Sequence, residues 1–297
     1  MQNKNGIYFD VSFVYTIFAL QSINEPMNIF KKLFSGAANE IEDKKNELEE
    51  KKSESKEKDF DILKYDGLRA LRTGQYDYAI KCFRHALDIK DDLEVHDYLS
   101  QALIRNNELL AAYKELEVLT KAEPDNQDIL IRMAQVAFMN EDYDAMGENC
   151  KKALEINKTN PLVYVLYARA YRGSGDYVNA LAMVNEAIKL DADYIEAHEL
   201  RGSILLDMND TDGADNDAQW LLENTNDDED VYLFKARVER AKENYKEAIH
   251  YYNKVTEVNP FRIEAFRERG AVKLATGDKD GADEDGRKLL ELNPNEK

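Results

Sequence analysis

Two acidic clusters have the spacing most suggestive of chemistry. "DTDGADND" (Asp210–Asp217) and "DKDGADED" (Asp278–Asp285) place four and five carboxylates in eight residues each. Oxygen ligands around a central glycine are the pattern of a calcium loop, which runs for about 12 residues and closes on a bidentate glutamate. With Gly213 as the sixth residue, the loop ends fall on Met208 and Gln219; with Gly281, they fall on Thr276 and Arg287. None of these four supplies the closing carboxylate. The expected role is therefore capping: carboxylates at a helix start accept free amide protons and oppose the helix dipole. No metal is expected.

The remaining candidates for catalysis are sparse. His85, His96, His198 and His250 are scattered and form no HxxxH or HExxH motif. His96 and His198 are expected as core histidines with satisfied ring nitrogens. Cys82 and Cys150 form no CxxC and no disulfide framework, so they are expected to pack as small apolar groups in a reducing, cytoplasmic setting. No phosphate-cradling or dinucleotide glycine motif occurs, and no GxSxG nucleophile turn. Trp220 is expected to be buried beside Leu221. These absences assign no catalytic residue and no cofactor, and the expectation is that the chain is not an enzyme.

Charge excludes further classes. The net charge is −19 over 297 residues. Nucleic-acid binders need a basic footprint, and anionic lipid repels an acidic surface. Neither nucleic acid nor stable membrane docking is expected. One third of the residues are charged, and glycine and proline number only 13 and 5, which points to a helix-rich chain rather than a strand-rich one.

The elements that would carry these clusters emerge from their spacing. Gly213 and Gly281 lie 68 residues apart, twice 34. A small-residue column runs through Ala79, Ala112, Met146, Ala180, Ala214, Ala248 and Ala282, with one interval of 33 and five of 34. Twelve residues before each position lies a second column, all small: Gly67, Ser100, Ala134, Ala168, Gly202, Ala236 and Gly270. Seven residues after lies a third: Ala86, Leu119, Ala153, Ala187, Leu221, Val255 and Leu289. Turn signals ("TGQY", "NNEL", "NEDY", "GSGDY", "NDTD", "KENY", "TGDK") separate the first two columns. Between units stand "EPDN", "KTNP", "VNPF" and "LNPN", with proline where a helix ends. Each unit reads as helix–turn–helix, and seven units span residues 60–297.

The segments before them differ. Residues 1–37 form an apolar or amphipathic segment. Within it, Gly6–Leu20 is interrupted by Asp10 and is shorter than the ~20 residues of a spanning helix. "MNIFKKLF" from Met27 also reads as a start, which would make residues 1–26 an artefact. Residues 38–59 are almost wholly polar and are expected as a charged helical linker, with Glu40–Lys44, Glu47–Lys51 and Glu54–Lys58 at helical pair spacing.

The repeat resembles the tetratricopeptide repeat. "YVLYARAYRGSGDYVNALAMVNEAIKL" (Tyr164–Leu190) follows that family's signature closely. Units five and seven diverge most, with Ala218 and Gly286 in an aromatic slot, and Met146 replaces an alanine in unit three. The resemblance implies an all-α fold, a right-handed α-solenoid of helix–turn–helix repeats. It also implies a non-enzymatic scaffold whose concave groove, lined by first helices, takes a peptide or helix of a partner protein. The groove positions are then Gln135, Phe138, Arg169, Arg172, Ser203, Leu206, Arg237, Arg240 and Arg267. Arg169, Arg172, Arg237 and Arg240 would receive a carboxylate-bearing segment, unless they pair with acids on neighbouring helices such as Glu199. The family's clamp for chaperone tails is not matched, because Leu68, Tyr98 and Asp128 interrupt its pattern. The alternative function is a membrane-proximal assembly factor anchored through the N-terminal segment. Leu289 and Leu290 on the last unit would permit self-association.

Overall fold

The computed structural model describes residues 26–293, with side chains described from residue 44. Among the described residues there are fourteen helices and no strand. They form seven hairpins in chain order: α1 (Pro26–Arg72) with α2 (Tyr76–Ile89), α3 (Leu93–Arg105) with α4 (Leu109–Ala122), and α5 (Gln127–Met139) with α6 (Tyr143–Ile156). Then come α7 (Pro161–Gly173) with α8 (Tyr177–Leu190), α9 (Ile195–Asp207) with α10 (Thr211–Asn224), α11 (Glu229–Ala241) with α12 (Tyr245–Val258), and α13 (Ile263–Ala275) with α14 (Lys279–Leu292). Each second helix packs on the next first helix, so the hairpins stack into one continuous all-α solenoid.

Small side chains make this stacking possible. The first two columns are fully buried in repeats one to six, and the third is buried there too. A Cβ added at Gly202 would run into the Phe234 ring and stand 3.2 Å from Cβ of Asp217. At Gly67 the added atom would sit 2.6 Å from the Phe83 ring. Hydrophobic clusters cross from each repeat to the next: Leu116 and Met146 join Val163, and Leu221 joins Val231 and Phe234. The stability of such an array is a sum of repeat and neighbour-interface terms.

The turns repeat as faithfully as the cores. One residue per hairpin turn is left-handed: Gly74, Asn107, Glu141, Gly175, Asn209, Glu243 and Gly277, with φ between 55° and 89°. The following amide donates back five residues, as in Asp142 N to Ala137 O (2.9 Å) and Asp210 N to Leu205 O (2.8 Å). That closes the last turn of the first helix in a Schellman-type cap. The same residue then caps the second helix. Asp142, Asp176, Asp210 and Asp278 accept amide protons from Ala145, Asn179, Gly213 and Gly281 at 2.9–3.1 Å. The acidic clusters therefore cap, as their position at a helix start implied.

Their inner carboxylates have a second task. Asp217 is 2% exposed and takes Arg201 at 2.6 Å and His198 Nδ1 at 3.0 Å. Asp285, one double period later, takes Arg269 at 2.5 Å and Lys273 at 3.0 Å. The two most divergent repeats each replace apolar packing with a buried ion pair at the same register. His198 Nε2 also bonds Ala192 O at 3.0 Å, and its ring stacks on the half-buried Trp220 at 3.7 Å. Cys82 and Cys150 are buried, and burial pushes the Cys150 thiol up to about 12.

The N-terminal segment joins the first repeat without interruption. Helix α1 is continuous for 47 residues and passes through both 37/38 and 59/60 without a break. No proline or glycine occurs between Ala37 and Asp66, and the segment is rich in helix formers, so nothing stops it. The linker is thus the extension of the first repeat's own helix. Its described side chains up to Asp59 are exposed. Lys45–Glu49 closes at 3.9 Å, whereas Glu47–Lys51 and Glu54–Lys58 stay open. The apolar stretch Gly6–Leu20 and the alternative start lie at or before the edge of the described residues. No helix among the described residues is long and apolar enough to cross a membrane.

Two substitutions of glycine by alanine should move stability in opposite directions. Gly202→Ala overpacks the interface with Phe234 and should cost about 1–3 kcal/mol. Gly286 has nothing within 4 Å of an added Cβ, so Gly286→Ala should gain up to about 1 kcal/mol of helix propensity. Thermal unfolding followed by circular dichroism reads both signs. Asp217→Ala strands Arg201 and His198 and should cost about 3–5 kcal/mol in the same assay.

Candidate functional site

First helices meet first helices across repeat boundaries: α1 with α3, α5 with α7, α7 with α9, and α9 with α11. No comparable contact joins second helices among the described residues. The first helices therefore crowd together on the inner side of the curve, and their free faces line the groove.

Around α7 and α9 this face opens into a cleft of about 560 Å³. Phe138 from α5, Arg169 and Arg172 from α7, and Ser203 from α9 line it. The rest of the wall comes from Tyr143, Gly173, Glu196, Glu199, Leu200 and Asp207. Tyr143 can lie flat against the end of α7 because Gly173 has no side chain to displace its ring. Phe138 is 40% exposed, an aromatic ring turned to the groove rather than the core. Gln135 is exposed on the same helix and Leu206 is half-buried on α9, but neither lines this cleft. Arg237 and Arg240 lie one repeat further along. Arg267 lies on α13 beside Asp283 and Leu290, in a separate terminal hollow.

The four groove arginines are not free cations. Arg169 pairs with Glu196 at 2.7 Å and lies 5.7 Å from the centre of the Phe138 ring. Arg172 pairs with Asp207 at 2.7 Å. Arg237 grips Glu268 through two nitrogens, the nearer at 2.6 Å, and Arg240 reaches the same carboxylate at 3.4 Å. Tyr252 donates to Glu268 at 2.9 Å. Burial alone would raise the Glu268 carboxyl, but hydrogen bonds from Arg237 and Tyr252 and the arginine charge outweigh it and hold the group below the usual carboxylate range.

These pairs follow the alternative stated above, in which the arginines meet acids on neighbouring helices. Every pair joins one repeat to the next, so the stripe is a set of inter-repeat ties. The acids could have been found from the period: Glu268 follows Arg237 by 31 residues and Asp207 follows Arg172 by 35, offsets that bracket 34. Such spacing places both groups on adjacent first helices. The same holds near the start of the array, where Lys64 reaches Asp92 at 3.4 Å and Glu94 at 2.5 Å, and Arg132 reaches Asp97 at 2.5 Å.

One charged group in the cleft is left over. Glu199, named above as a pairing acid, has no hydrogen-bond or ion-pair partner among the described residues. Burial raises its pKa, and the nearby charges of Asp228, Asp230 and Glu196 raise it further against the weaker opposing pull of Arg169. Among the described residues, no group of three or more His, Cys, Asp or Glu side chains is placed to hold a metal ion. The four histidines lie in separate repeats.

Sequence and structure comparisons agree with this geometry. Family models described as "Tetratricopeptide repeat" match residues 137–204 and residues 229–262. No curated protein matches the chain. Among solved structures, a tetratricopeptide repeat protein from Parabacteroides merdae superposes with a TM-score of 0.70 at 15% identity, covering 80% of this chain and 95% of that one. The Cut9 and Hcn1 hetero-tetramer of the APC/C gives 0.60 at 14% identity, covering 80% and 47%. The C-terminal part of a repeat-containing protein from Cytophaga hutchinsonii gives 0.57 at 18%, covering 79% and 96%. At these identities the likeness is one of fold. The period, the buried columns, the stacked hairpins and the two family matches lead to one conclusion: the chain is a tetratricopeptide-repeat protein, folded as an all-α solenoid.

Proposed function

We propose that this chain is a non-enzymatic scaffold that holds a peptide or helix of a partner protein in its concave groove. Tetratricopeptide repeats support protein–protein interaction in general, and the coarse role follows from the family. The finer reading rests on one observation. The cleft at α7 and α9 exposes an aromatic ring, Phe138, beside Leu200, Ser203 and an unpartnered carboxylate, Glu199. An apolar floor with a few polar groups at its rim is the ordinary make-up of a recognition site. The cleft is also held rigid, because Arg169 and Arg172 tie α7 to α9 on both sides. A preformed groove spares a partner the cost of ordering it.

The test is a selection of random peptides on the immobilised full chain. Wild type should yield binders whose affinity falls at least tenfold with Phe138→Ser or with Ser203→Trp, which plugs the cleft. Binders indifferent to both variants would remove the groove from the proposal. The last repeat adds an expectation of its own. Leu290 is 54% exposed on α14, and self-association through that end should show as a concentration-dependent sedimentation coefficient. A concentration-independent monomer would overturn it.

A further inference from the structure

The groove reading leaves the partner's chemistry open, and the cleft's charge inventory narrows it. Two cations line the wall, Arg169 and Arg172, against three carboxylates, Glu196, Glu199 and Asp207. Each arginine is committed to one acid at 2.7 Å. Glu199 remains, half-buried on α9 and facing the cleft without a partner.

Its neighbours deepen the imbalance. The N-cap and first turn of α11 bring Asp228 and Asp230 close enough to act on the Glu199 charge, and Glu196 acts on it from one turn away. Acids recur at this level of the groove, in the first turns of α3, α5, α9, α11 and α13: Glu94, Asp128, Glu196, Asp230 and Glu264. Helix-dipole compensation explains each of them singly. Four of the five also have a cation: Glu94 has Lys64, Glu196 has Arg169, and Asp230 and Glu264 share Arg262. Glu199 is different, because it lies in the second turn of its helix. There the dipole offers it little, and no internal cation has been provided.

We infer that the cleft takes a basic segment of a partner protein, with a lysine or arginine seated against Glu199 and an apolar side chain on Phe138. This rests on the groove reading above and adds the class of partner. A cation arriving at Glu199 completes the third ion pair of the cleft. An acidic segment faces the opposite balance. It would have to pull Arg169 from Glu196 and Arg172 from Asp207 while standing beside an uncompensated carboxylate. The −19 net charge acts in the same direction at longer range, speeding encounter with a basic partner at low salt.

The experiment reuses the selected peptides and adds Glu199→Gln and Glu199→Lys in the full chain. Wild-type binders that compete at the groove should be enriched in lysine and arginine over the starting library. Their affinity should fall at least tenfold on Glu199→Gln and should weaken as salt rises from 50 to about 500 mM, as screening predicts. Selection on Glu199→Lys should lose the basic enrichment. Removing an unpaired, half-buried charge should also leave the free chain melting at or above the wild-type temperature at neutral pH. Groove-competing binders without basic enrichment overturn this inference and leave the groove itself standing. A drop in melting temperature on Glu199→Gln also overturns it, since it would reveal a partner for Glu199 within the fold. Binders that do not compete at the groove remove both readings.

Discussion

Everything in this molecule depends on how closely two helices can approach where neither carries bulk. Gly202 leaves room for Asp217 of its own hairpin and for the Phe234 ring of the next, and Ala168, Ala180 and Ala214 are fully buried in theirs. Helix axes in proteins lie about 8–10 Å apart, with small contact residues giving the short end. Repeated every 34 residues, this contact fixes the tilt of each hairpin on the next, and the tilt accumulates into a curve. The left-handed residue in each turn enforces the same geometry from the backbone side. Glycine suits it at three turns; asparagine and glutamate accept it at the others because the cap they complete is worth more than the strain.

Charge then does at the boundaries what apolar burial does inside the hairpins. In a protein of net charge −19, cations are scarce, and many of the described arginines are spent across repeat junctions: Arg169 to Glu196, Arg172 to Asp207, Arg237 and Arg240 to Glu268, Arg262 to Glu229 and Asp230. Surface pairs of this kind contribute little singly. Several in series along one concave face resist the same deformation, the opening of the curve. The buried pairs Arg201–Asp217 and Arg269–Asp285 act differently. They stand inside hairpins whose helices lack the usual aromatic, and they fix the register of α9 on α10 and of α13 on α14 by geometry that an apolar contact would leave looser.

The fold was legible because it is written redundantly. Three columns at one period, with turn and proline signals between them, leave a helix–turn–helix array as the simple solution. The capping role of Asp210 and Asp278 was legible for the same reason, since their place in the period put them at a helix start. The continuity of α1 was less so. The change in composition at Phe60 looked like a boundary, yet composition alters what a helix packs against and need not alter whether it is a helix. The groove was legible only as a list of positions. Phe138, Arg169, Arg172 and Ser203 do line one cleft, but which charges cancel within it depends on contacts between residues 27–35 apart, and no local pattern reports those.

The unmatched carboxylate of the α7–α9 cleft carries the functional argument. Both arginines of that cleft are matched to an acid at 2.7 Å. A fold selected for stability alone would match Glu199 too, or replace it with glutamine, because a half-buried carboxylate among other acids opposes folding at neutral pH. Burial and the neighbouring acids raise its pKa, so the ionised form is disfavoured in the folded chain, and the penalty eases as pH falls. Perturbed groups in clefts mark sites of function more often than chance placement does. In the α7–α9 cleft two ion pairs are complete, and Glu199 is the carboxylate beside them that a cation from outside would neutralise.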